Sequence, residues 1–257
     1  MRRFWRRLRT GSAFTLFGVC GAILGLVVLP LARRLSSADD FDLRAQRWIQ
    51  RAYLVFMDYM SAVGLVSIER ITPETIRGGA RLLVANHPTL IDTPLLVAGF
   101  PQADCVANSE WAENRFLGPA IAAANYIRRD TGSAVVEEGA RRLAEGRTLV
   151  IFPEGTRTPE GEQLGRFHRG AAHVALRAGL PIQPILITAH PRTLMKGQNW
   201  YDVPDRPLQL VVRELPELDP KEVLEGGETI SLAARRVTEA LRERFLAALD
   251  VAERERS

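Results

Sequence analysis

Residues 85–92, ANHPTLID, place a histidine and an aspartate directly behind a short apolar run. The run, 81–85, has the length and composition of a buried strand, and a proline soon interrupts the chain. Apolar residues then return at helical spacing, which predicts a strand, a turn and a helix over 88–98. Such a junction is where α/β folds gather their chemical groups. On these eight residues alone, capping for His87 and a helix-dipole interaction for Asp92 are the favoured roles.

The same alternation continues through the rest of the chain from about residue 67. Strands are predicted at 81–85, 103–107, 148–152, 182–187 and 208–213, and helices at 88–98, 109–123, 133–145, 168–178 and 228–250. Alternating strands and helices predict an α/β fold, with a mainly parallel sheet flanked by helices on both faces. Residues 67–257 are therefore assigned to one α/β domain.

The first 66 residues have a different composition. Five arginines precede residue 13, and residues 13–32 carry no charge over a length that can span the hydrocarbon core of a bilayer. A signal peptide fits less well, because two arginines follow where a small-residue cleavage site belongs. A second apolar stretch, 48–66, contains two charged residues and predicts an amphipathic helix at a membrane surface. Residues 1–66 are thus expected to form a membrane-associating helical arm.

The composition of the 257 residues excludes several classes of protein. Two cysteines, Cys20 and Cys105, cannot form a disulfide framework. The sequence has no H-E-x-x-H or paired C-x-x-C segment and no glycine-rich nucleotide loop, so neither a metal nor a cofactor is expected. The net charge of +4 is modest, but a pI of about 9.5 raises nucleic-acid binding as an alternative. Because basic residues concentrate beside the apolar segment, anionic lipid head groups are the better partner and no nucleic acid is expected.

A second polar junction follows the third predicted strand and reads FPEGTRT, residues 152–158. Glu154 and Arg157 of this junction are predicted to lie at the same edge of the sheet as His87, because neighbouring parallel strands end there. Two further segments stand out, NYIRRD at 125–130 and LPIQPI at 180–185. Each of the segments is unremarkable by itself, since arginine pairs are usually solvated and a proline-glycine turn is common.

In this order and spacing, the four segments resemble the motifs of the glycerophospholipid acyltransferase family, which includes 1-acyl-glycerol-3-phosphate acyltransferases. HPTLID, residues 87–92, matches the family's H-x4-D motif, and FPEGTRT resembles its third motif without a departure. YIRR, residues 126–129, is similar to the usual Phe-Ile-Asp-Arg. Arg128 stands where an acidic residue is common, and Arg129 falls on the motif arginine. LPIQPI resembles the fourth motif.

The resemblance implies a membrane-bound enzyme that moves a fatty acyl group from acyl-CoA or acyl-carrier protein to the hydroxyl of a lysophospholipid. The default acceptor is 1-acyl-glycerol-3-phosphate, which gives phosphatidic acid. His87 would act as the general base, and Asp92 would hold the imidazole in the right tautomer. The acceptor is expected to contact Glu154, Gly155, Thr156, Arg157, Arg128 and Arg129. No nucleophile is required, and the sequence lacks a G-x-S-x-G elbow.

Two alternatives stay open at this point. A member of the same family can act on another hydroxylated lipid or a specialised metabolite, and a protein with an inactive site can simply bind lipid. The N-terminal arginines favour a cytoplasmic N-terminus, and the donors are cytosolic. We therefore predict an inner-membrane protein whose N-terminus and catalytic domain share the cytoplasmic side. Residues 13–32 would then pair with 48–66 as a re-entrant or interfacial unit.

Overall fold

The computed structural model of the chain describes residues 2–35, 41–71, 80–100, 102–115, 117–128 and 132–256. Within these ranges seven strands form one sheet: β1 (Val66–Ile71), β2 (Arg81–Ala85), β3 (Asp104–Ala107), β4 (Ile127–Arg128), β5 (Thr148–Ile151), β6 (Ile182–His190) and β7 (Leu208–Glu214). Their order across the sheet is β1-β7-β6-β2-β5-β3-β4. Neighbouring strands run parallel except β6 and β7. The mainly parallel sheet expected from the sequence is confirmed.

Helices pack on both faces of this sheet, as the alternating pattern predicts. They are α1 (Arg2–Ile23), α2 (Leu29–Leu35), α3 (Phe41–Ala62), α4 (Asp92–Gly99), α5 (Ser109–Ala112), α6 (Gly118–Ala123), α7 (Gly132–Ala144), α8 (Gly170–Ala178) and α9 (Ile230–Arg256). A π-helical segment, Leu24–Val28, joins α1 to α2. One core contains residues of α1, α3, α4 and α6, and the other contains residues of α7, α8 and α9.

Strand β2 shows why the sheet is covered on both sides. Leu83 and Ala85 are buried in the core beneath α3 and α4, while Leu82 and Val84 are buried in the core beneath α7 to α9. Successive side chains of a strand point to opposite faces, so a strand with apolar residues at every position requires two covers. The continuous apolar run in the sequence therefore marks a central strand.

Two strands were missed by the pattern, and both lie at edges of the sheet. β1 pairs only with β7, and its sequence VSIERI carries two charges and begins only a few residues after α3 ends. β4 contains two residues and pairs only with β3. An edge strand has one partner and one solvated side, so its sequence shows weaker apolar patterning than that of a central strand.

Two helix predictions were wrong in their bounds. The helix predicted over 88–98 begins only at Asp92, so Pro88 lies in the preceding loop and not in the first helical turn. The helix predicted over 109–123 is divided into α5 and α6. At the division, the Gly118 amide donates to the Asn114 carbonyl, and a Cβ on Gly118 would lie 2.4 Å from the carbonyl oxygen of Ala112. That close backbone approach requires glycine.

The N-terminal arm packs along the rest of the protein. By length and composition, the helix over Arg3–Leu35 is long and apolar enough to cross a membrane. Ala13, Leu24 and Leu29 of this helix are buried in the same core as the central strands. The arm and the sheet therefore share one core. The domain boundary at residue 66 coincides with the start of the first strand at Val66, and the division into two domains stays a prediction.

A cluster of buried charged side chains joins α3, the last helix of the arm, to the end of the sheet where β3 begins. Asp104 is fully buried and accepts hydrogen bonds from Gln46 of α3 at 2.8 Å and from Arg142 of α7 at 2.6 Å. Arg147 donates to Asp104 at 2.9 Å and to Asp42 of α3 at 2.8 Å. Buried charges are tolerated when they are paired and hydrogen-bonded, so this cluster fixes α3 against the sheet.

Candidate active site

The loop after β2 is anchored by a side chain that continues the sheet pairing. β6 extends beyond the end of β2, and the Asn86 side-chain amide occupies the place of a further paired residue. Its Nδ2 donates to the Ile187 carbonyl at 2.8 Å, and its Oδ1 accepts from the Ile187 amide at 2.7 Å. Asn86 is buried, so both bonds are shielded from water. The next residue, His87, therefore starts from a fixed backbone position.

His87 and Asp92 meet across this loop. The His87 Nδ1 lies 2.8 Å from Asp92 Oδ2, and the Asp92 side chain has no exposed surface. Asp92 also accepts from the Thr89 amide at 2.6 Å and from the Thr89 hydroxyl at 2.5 Å. These bonds orient the carboxylate, which in turn assigns the imidazole proton to Nδ1. Nε2 is left as the proton acceptor of the ring.

The imidazole of His87 packs on Phe152, the first residue of the loop after the neighbouring strand β5. The ring stacks on Phe152, with centroids 4.4 Å apart and planes 28° from parallel, and 16% of the His87 side chain is exposed. Phe152 directly follows β5, which pairs with β2. The sheet order therefore brings FPEGTRT beside HPTLID, as the sequence predicts, and the ring is held on one side while another side reaches solvent.

Glu154 braces the two loops from inside. Its carboxylate accepts from the His87 amide at 2.7 Å, from the Thr158 hydroxyl at 2.7 Å and from the Gly165 amide at 2.8 Å. The Thr158 amide donates to the His87 carbonyl at 2.7 Å, which adds a backbone link between the same loops. Glu154 is 4% exposed. Its bonds show a supporting carboxylate, and contact with a substrate stays a prediction for this residue.

The other residues of FPEGTRT differ in exposure. Gly155 adopts a φ of 66°, the left-handed conformation that glycine permits, and its amide donates to the Phe152 carbonyl. Thr156 is exposed. The Arg157 guanidinium is half-buried and donates through Nη1 to the carbonyls of Leu194 and Met195, at 2.9 and 2.8 Å. Burial lowers the pKa of Arg157 from its ordinary value, and the charge of Asp92 opposes that change.

Arg128 lies farther from His87. Arg128 is in edge strand β4, exposed, and 4.0 Å from Glu113. β5 and β3 separate β4 from β2, a distance of about 14 Å at the usual strand spacing. Arg129, predicted to help bind the acceptor, lies outside the described residues.

This arrangement supports proton transfer at the imidazole of His87, which Asp92 and Phe152 hold in place. The half-buried cation in the neighbouring loop is Arg157. Cys105 is buried, and burial raises the pKa of its thiol well above the ordinary range, so it is a poor nucleophile. In the ranges that the structure describes, no cluster of His, Cys, Asp and Glu is placed to hold a metal ion. The absence of metal and cofactor stays a prediction.

Several supporting residues were missed by the sequence reasoning. Thr89 stands three residues before Asp92, the spacing of a capping box, and that signal was available. Asn86 follows a buried strand, but its partner Ile187 lies 101 residues away and is not revealed by local pattern. The carbonyls of Leu194 and Met195 belong to residues of no particular chemistry. Backbone acceptors leave no mark in a single sequence.

Comparison with known proteins identifies relatives of this chain. A sequence model described as Acyltransferase matches residues 66–188. A 1-acyl-sn-glycerol-3-phosphate acyltransferase of Helicobacter pylori is 37% identical over 115 residues, which are 42% of this chain and 48% of that protein. The lyso-ornithine lipid O-acyltransferase of Pseudomonas aeruginosa is 34% identical over 179 residues, which are 67% of this chain and 66% of that protein.

The fold has a counterpart among solved structures. The 1-acyl-sn-glycerophosphate acyltransferase of Thermotoga maritima superimposes with a TM-score of 0.67 and 24% identity, over 95% of this chain and 97% of that chain. The structural match thus includes most of the arm as well as the sheet. In sequence, the chain spans only about half to two thirds of the curated relatives described above.

The bond between the Gly165 amide and Glu154 leads to a prediction about Gly165. A Cβ on Gly165 would lie 2.4 Å from Glu154 Oε2, so Gly165→Ala displaces the carboxylate and leaves the part-buried His87 amide without its acceptor. We expect a loss of about 1–3 kcal/mol in the free energy of unfolding, measured by urea denaturation in detergent. Gly170→Ala is the control, because a Cβ there meets nothing within 4 Å. Equal stability of the two variants would contradict the bracing role.

Proposed function

Since the chain belongs to the glycerophospholipid acyltransferase family, we propose that it transfers a fatty acyl group from an acyl thioester to the free hydroxyl of a lysophospholipid. The observation that carries this proposal is the 2.8 Å contact between His87 Nδ1 and the buried carboxylate of Asp92. Because Nδ1 is bonded to Asp92, Nε2 is the ring nitrogen that can act as the base. The proposed donor is acyl-CoA or acyl-carrier protein, and the proposed acceptor is 1-acyl-glycerol-3-phosphate, which becomes phosphatidic acid.

The proposed reaction needs one base and no covalent enzyme intermediate. His87 Nε2 removes the proton from the acceptor hydroxyl as its oxygen attacks the thioester carbonyl, and Asp92 stabilises the imidazolium that forms. Collapse of the tetrahedral intermediate breaks the carbon–sulfur bond, and the departing thiolate takes the proton from His87. The acceptor hydroxyl thus occupies the position that a serine side chain occupies in a hydrolase with a catalytic triad. A protein that only binds lipid does not require this alignment.

The proposed mechanism makes a prediction about the base and its partner. His87→Ala removes the proton acceptor, and we expect the turnover number to fall on the order of 10²- to 10⁴-fold while the melting temperature changes little. Asp92→Asn disfavours the required tautomer and is expected to be nearly as damaging. Mass spectrometry of the lipid product from purified variants measures both effects. Wild-type turnover by His87→Ala would show that another group acts as the base.

Arg157 is the residue proposed to bind the acceptor's anionic group. Both of its hydrogen bonds use Nη1, and no bond within the described ranges uses Nε or Nη2. Those two nitrogens form one edge of the planar guanidinium, which binds phosphate or carboxylate oxygens in pairs. Burial strengthens such contacts by lowering the local dielectric. Arg157 lies one residue from Thr158, whose amide contacts the His87 carbonyl.

We expect Arg157→Ala to raise the acceptor KM about 10- to 100-fold for lysophosphatidic acid, because a charge-assisted pair contributes about 1.5–3 kcal/mol. The acyl-CoA KM should change by less than threefold. Monoacylglycerol, which has the hydroxyl but no phosphate, is the matched control acceptor. A similar loss with monoacylglycerol would mean that Arg157 supports the fold of the site and not the binding of the anion.

A second candidate acceptor, a lyso-ornithine lipid, is favoured by the length of one sequence alignment. Of the two curated relatives compared above, the lyso-ornithine lipid O-acyltransferase aligns with the larger part of this chain, 67% against 42%. A lyso-ornithine lipid presents a hydroxyl and a carboxylate, and the free edge of Arg157 accepts either a carboxylate or a phosphate. Product analysis with both acceptors at equal concentration separates the two candidates. The acceptor with the higher kcat/KM is the better assignment.

For membrane topology, we propose that the arm lies within one leaflet and that the N-terminus and His87 share the cytoplasmic side of the inner membrane. Arg3 pairs with Asp205, Phe14 packs on Trp200, and a Cβ on Gly21 would touch Leu117. The 18 residues from Arg3 to Gly21 rise about 27 Å along a helix, close to the thickness of the hydrocarbon core. A helix that spanned the bilayer would carry these partners into it.

The outward side of the arm supplies the lipid contact in this proposal. Large apolar side chains that are about half exposed lie on this side in two groups, Phe4 and Leu8 in the first turns and Val19, Ile23, Leu26, Val27 and Leu31 farther along. Arginines cluster at the first turns, where they meet anionic head groups. The apolar groups and the flanking cations together are typical of a helix that lies in the interface.

The topology can be tested with reporter fusions to the C-terminus of the full chain in a Gram-negative host. We expect bright green fluorescent protein and inactive alkaline phosphatase, because α9 belongs to the same domain as the site. A fusion of green fluorescent protein to the N-terminus should also be bright. Active phosphatase with a dark C-terminal fluorescent fusion would establish a single span and a site on the opposite side.

A further inference from the structure

The loop between β6 and β7, residues 191–207, contains a buried leucine in a strained conformation. Leu194 has a φ of +59°, a region that bulky residues rarely adopt, and it is 7% exposed. A backbone outlier of this kind persists only where the surrounding structure imposes it, and it then points to a functional constraint. The strain directs the Leu194 carbonyl to two donors, the amide of Leu90 at 3.0 Å and Arg157 Nη1 at 2.9 Å.

These two donors belong to the two motif loops of the candidate site. Leu90 lies between His87 and Asp92, and Arg157 is the residue proposed to bind the acceptor. The Met195 carbonyl adds a second bond to Arg157 Nη1, at 2.8 Å. Two acceptors on one nitrogen fix the plane of the guanidinium, so the β6–β7 loop determines where the free Nε–Nη2 edge points.

The other half of the same loop is fastened to the arm. Asp205 accepts from Arg3 Nε and Nη2, at 2.6 and 2.7 Å, in a two-point contact. Trp200 packs edge-on against Phe14, with ring centroids 6.0 Å apart. A Cβ built on Gly11 would lie 3.6 Å from the Trp200 ring, so the helix backbone passes close to the indole. The arm thus meets the loop at two levels of α1.

Bonds within the loop connect its two halves. The Met195 amide donates to the Gln198 side chain at 3.2 Å, and the Gln198 amide donates back to the Met195 carbonyl. The Asp202 carboxylate accepts from the amide and side chain of Asn199, at 3.3 and 3.1 Å. These bonds order residues 195–202, a segment that contains Trp200 and begins at one of the carbonyls that hold Arg157.

We propose that the β6–β7 loop is a positioning element for the acceptor, and that Trp200 and Asp205 make its position depend on the docked arm. The proposal rests on the proposed function, because it assigns acceptor binding to Arg157. Trp200 and Asp205 touch neither substrate nor reacting atoms and act through Leu194 and Met195. Membrane attachment of the arm and affinity for the acceptor head group are then coupled properties of one molecule.

The test compares full-length variants in vesicles of phosphatidylethanolamine and phosphatidylglycerol. The double variant Trp200→Ala/Asp205→Asn unfastens the loop from α1. We expect an acceptor KM raised about tenfold, with kcat and the acyl-CoA KM within about twofold, because orientation of Arg157 is lost and His87 is retained. Trp111→Ala is the matched control, since Trp111 is 45% exposed, as Trp200 is 46% exposed, and lies outside the loop.

Two further measurements separate coupling from loss of lipid contact or of fold. Reversing the charges in Arg3→Asp/Asp205→Arg should recover the acceptor KM that Asp205→Arg alone raises. Hydrogen exchange at the Leu90 amide should become faster in the double variant and stay at the wild-type rate in Trp111→Ala.

An equal rise in acceptor KM for Trp111→Ala and the double variant would overturn the proposal in favour of a general membrane contact. Unchanged Leu90 exchange in the double variant would overturn it as well. If the wild-type protein transferred no acyl group to any acceptor, the proposed function would fail. The exchange rate at Leu90 would still decide whether the arm and the motif loop are coupled.

Discussion

One buried carboxylate sets the geometry on which the candidate site depends. Glu154 accepts hydrogen bonds from the His87 amide, the Thr158 hydroxyl and the Gly165 amide, and so joins the loops after two neighbouring strands. An ionised carboxylate in a buried place is costly unless its lone pairs are satisfied, and here three donors converge on it. Because the His87 backbone is held through this carboxylate, the distance from Nδ1 to Asp92 is determined by the fold and not by the mobility of a loop.

The sheet order explains why this brace is possible. β2 lies between β5 and β6, and all three run in the same direction, so their carboxyl ends meet at one edge. Glu154 comes from the loop after β5, and Leu194 comes from the loop after β6. Each approaches the β2 loop from a different side. The reversal at β7 then returns the chain along β6 and places residues 191–207 against the arm. This antiparallel connection adds a contact between the site and α1 to the core that α3 and α4 share.

The sequence predicts those parts of the molecule whose physical cause is local. Apolar runs such as 81–85 identify central strands, and parallel strands share an edge, so the sequence alone places His87 and Glu154 together. The existence of β1 could not be predicted, because the β1–β7 pairing overrides local propensity. The Leu194 carbonyl could not be predicted at all, since any residue supplies one. The position of Arg128 follows from β4, a strand too short to show a pattern.

The shared core gives the arm a role that an attached anchor does not have. Ala13, Leu24 and Leu29 are buried with residues of the central strands, so the arm is held by the same apolar packing that holds the sheet. A tether with a flexible linker would leave the site free to move relative to any surface that the tether binds. Here α1 is fixed to the globular part along its length. Whatever surface the arm contacts, His87 therefore keeps a set distance from it.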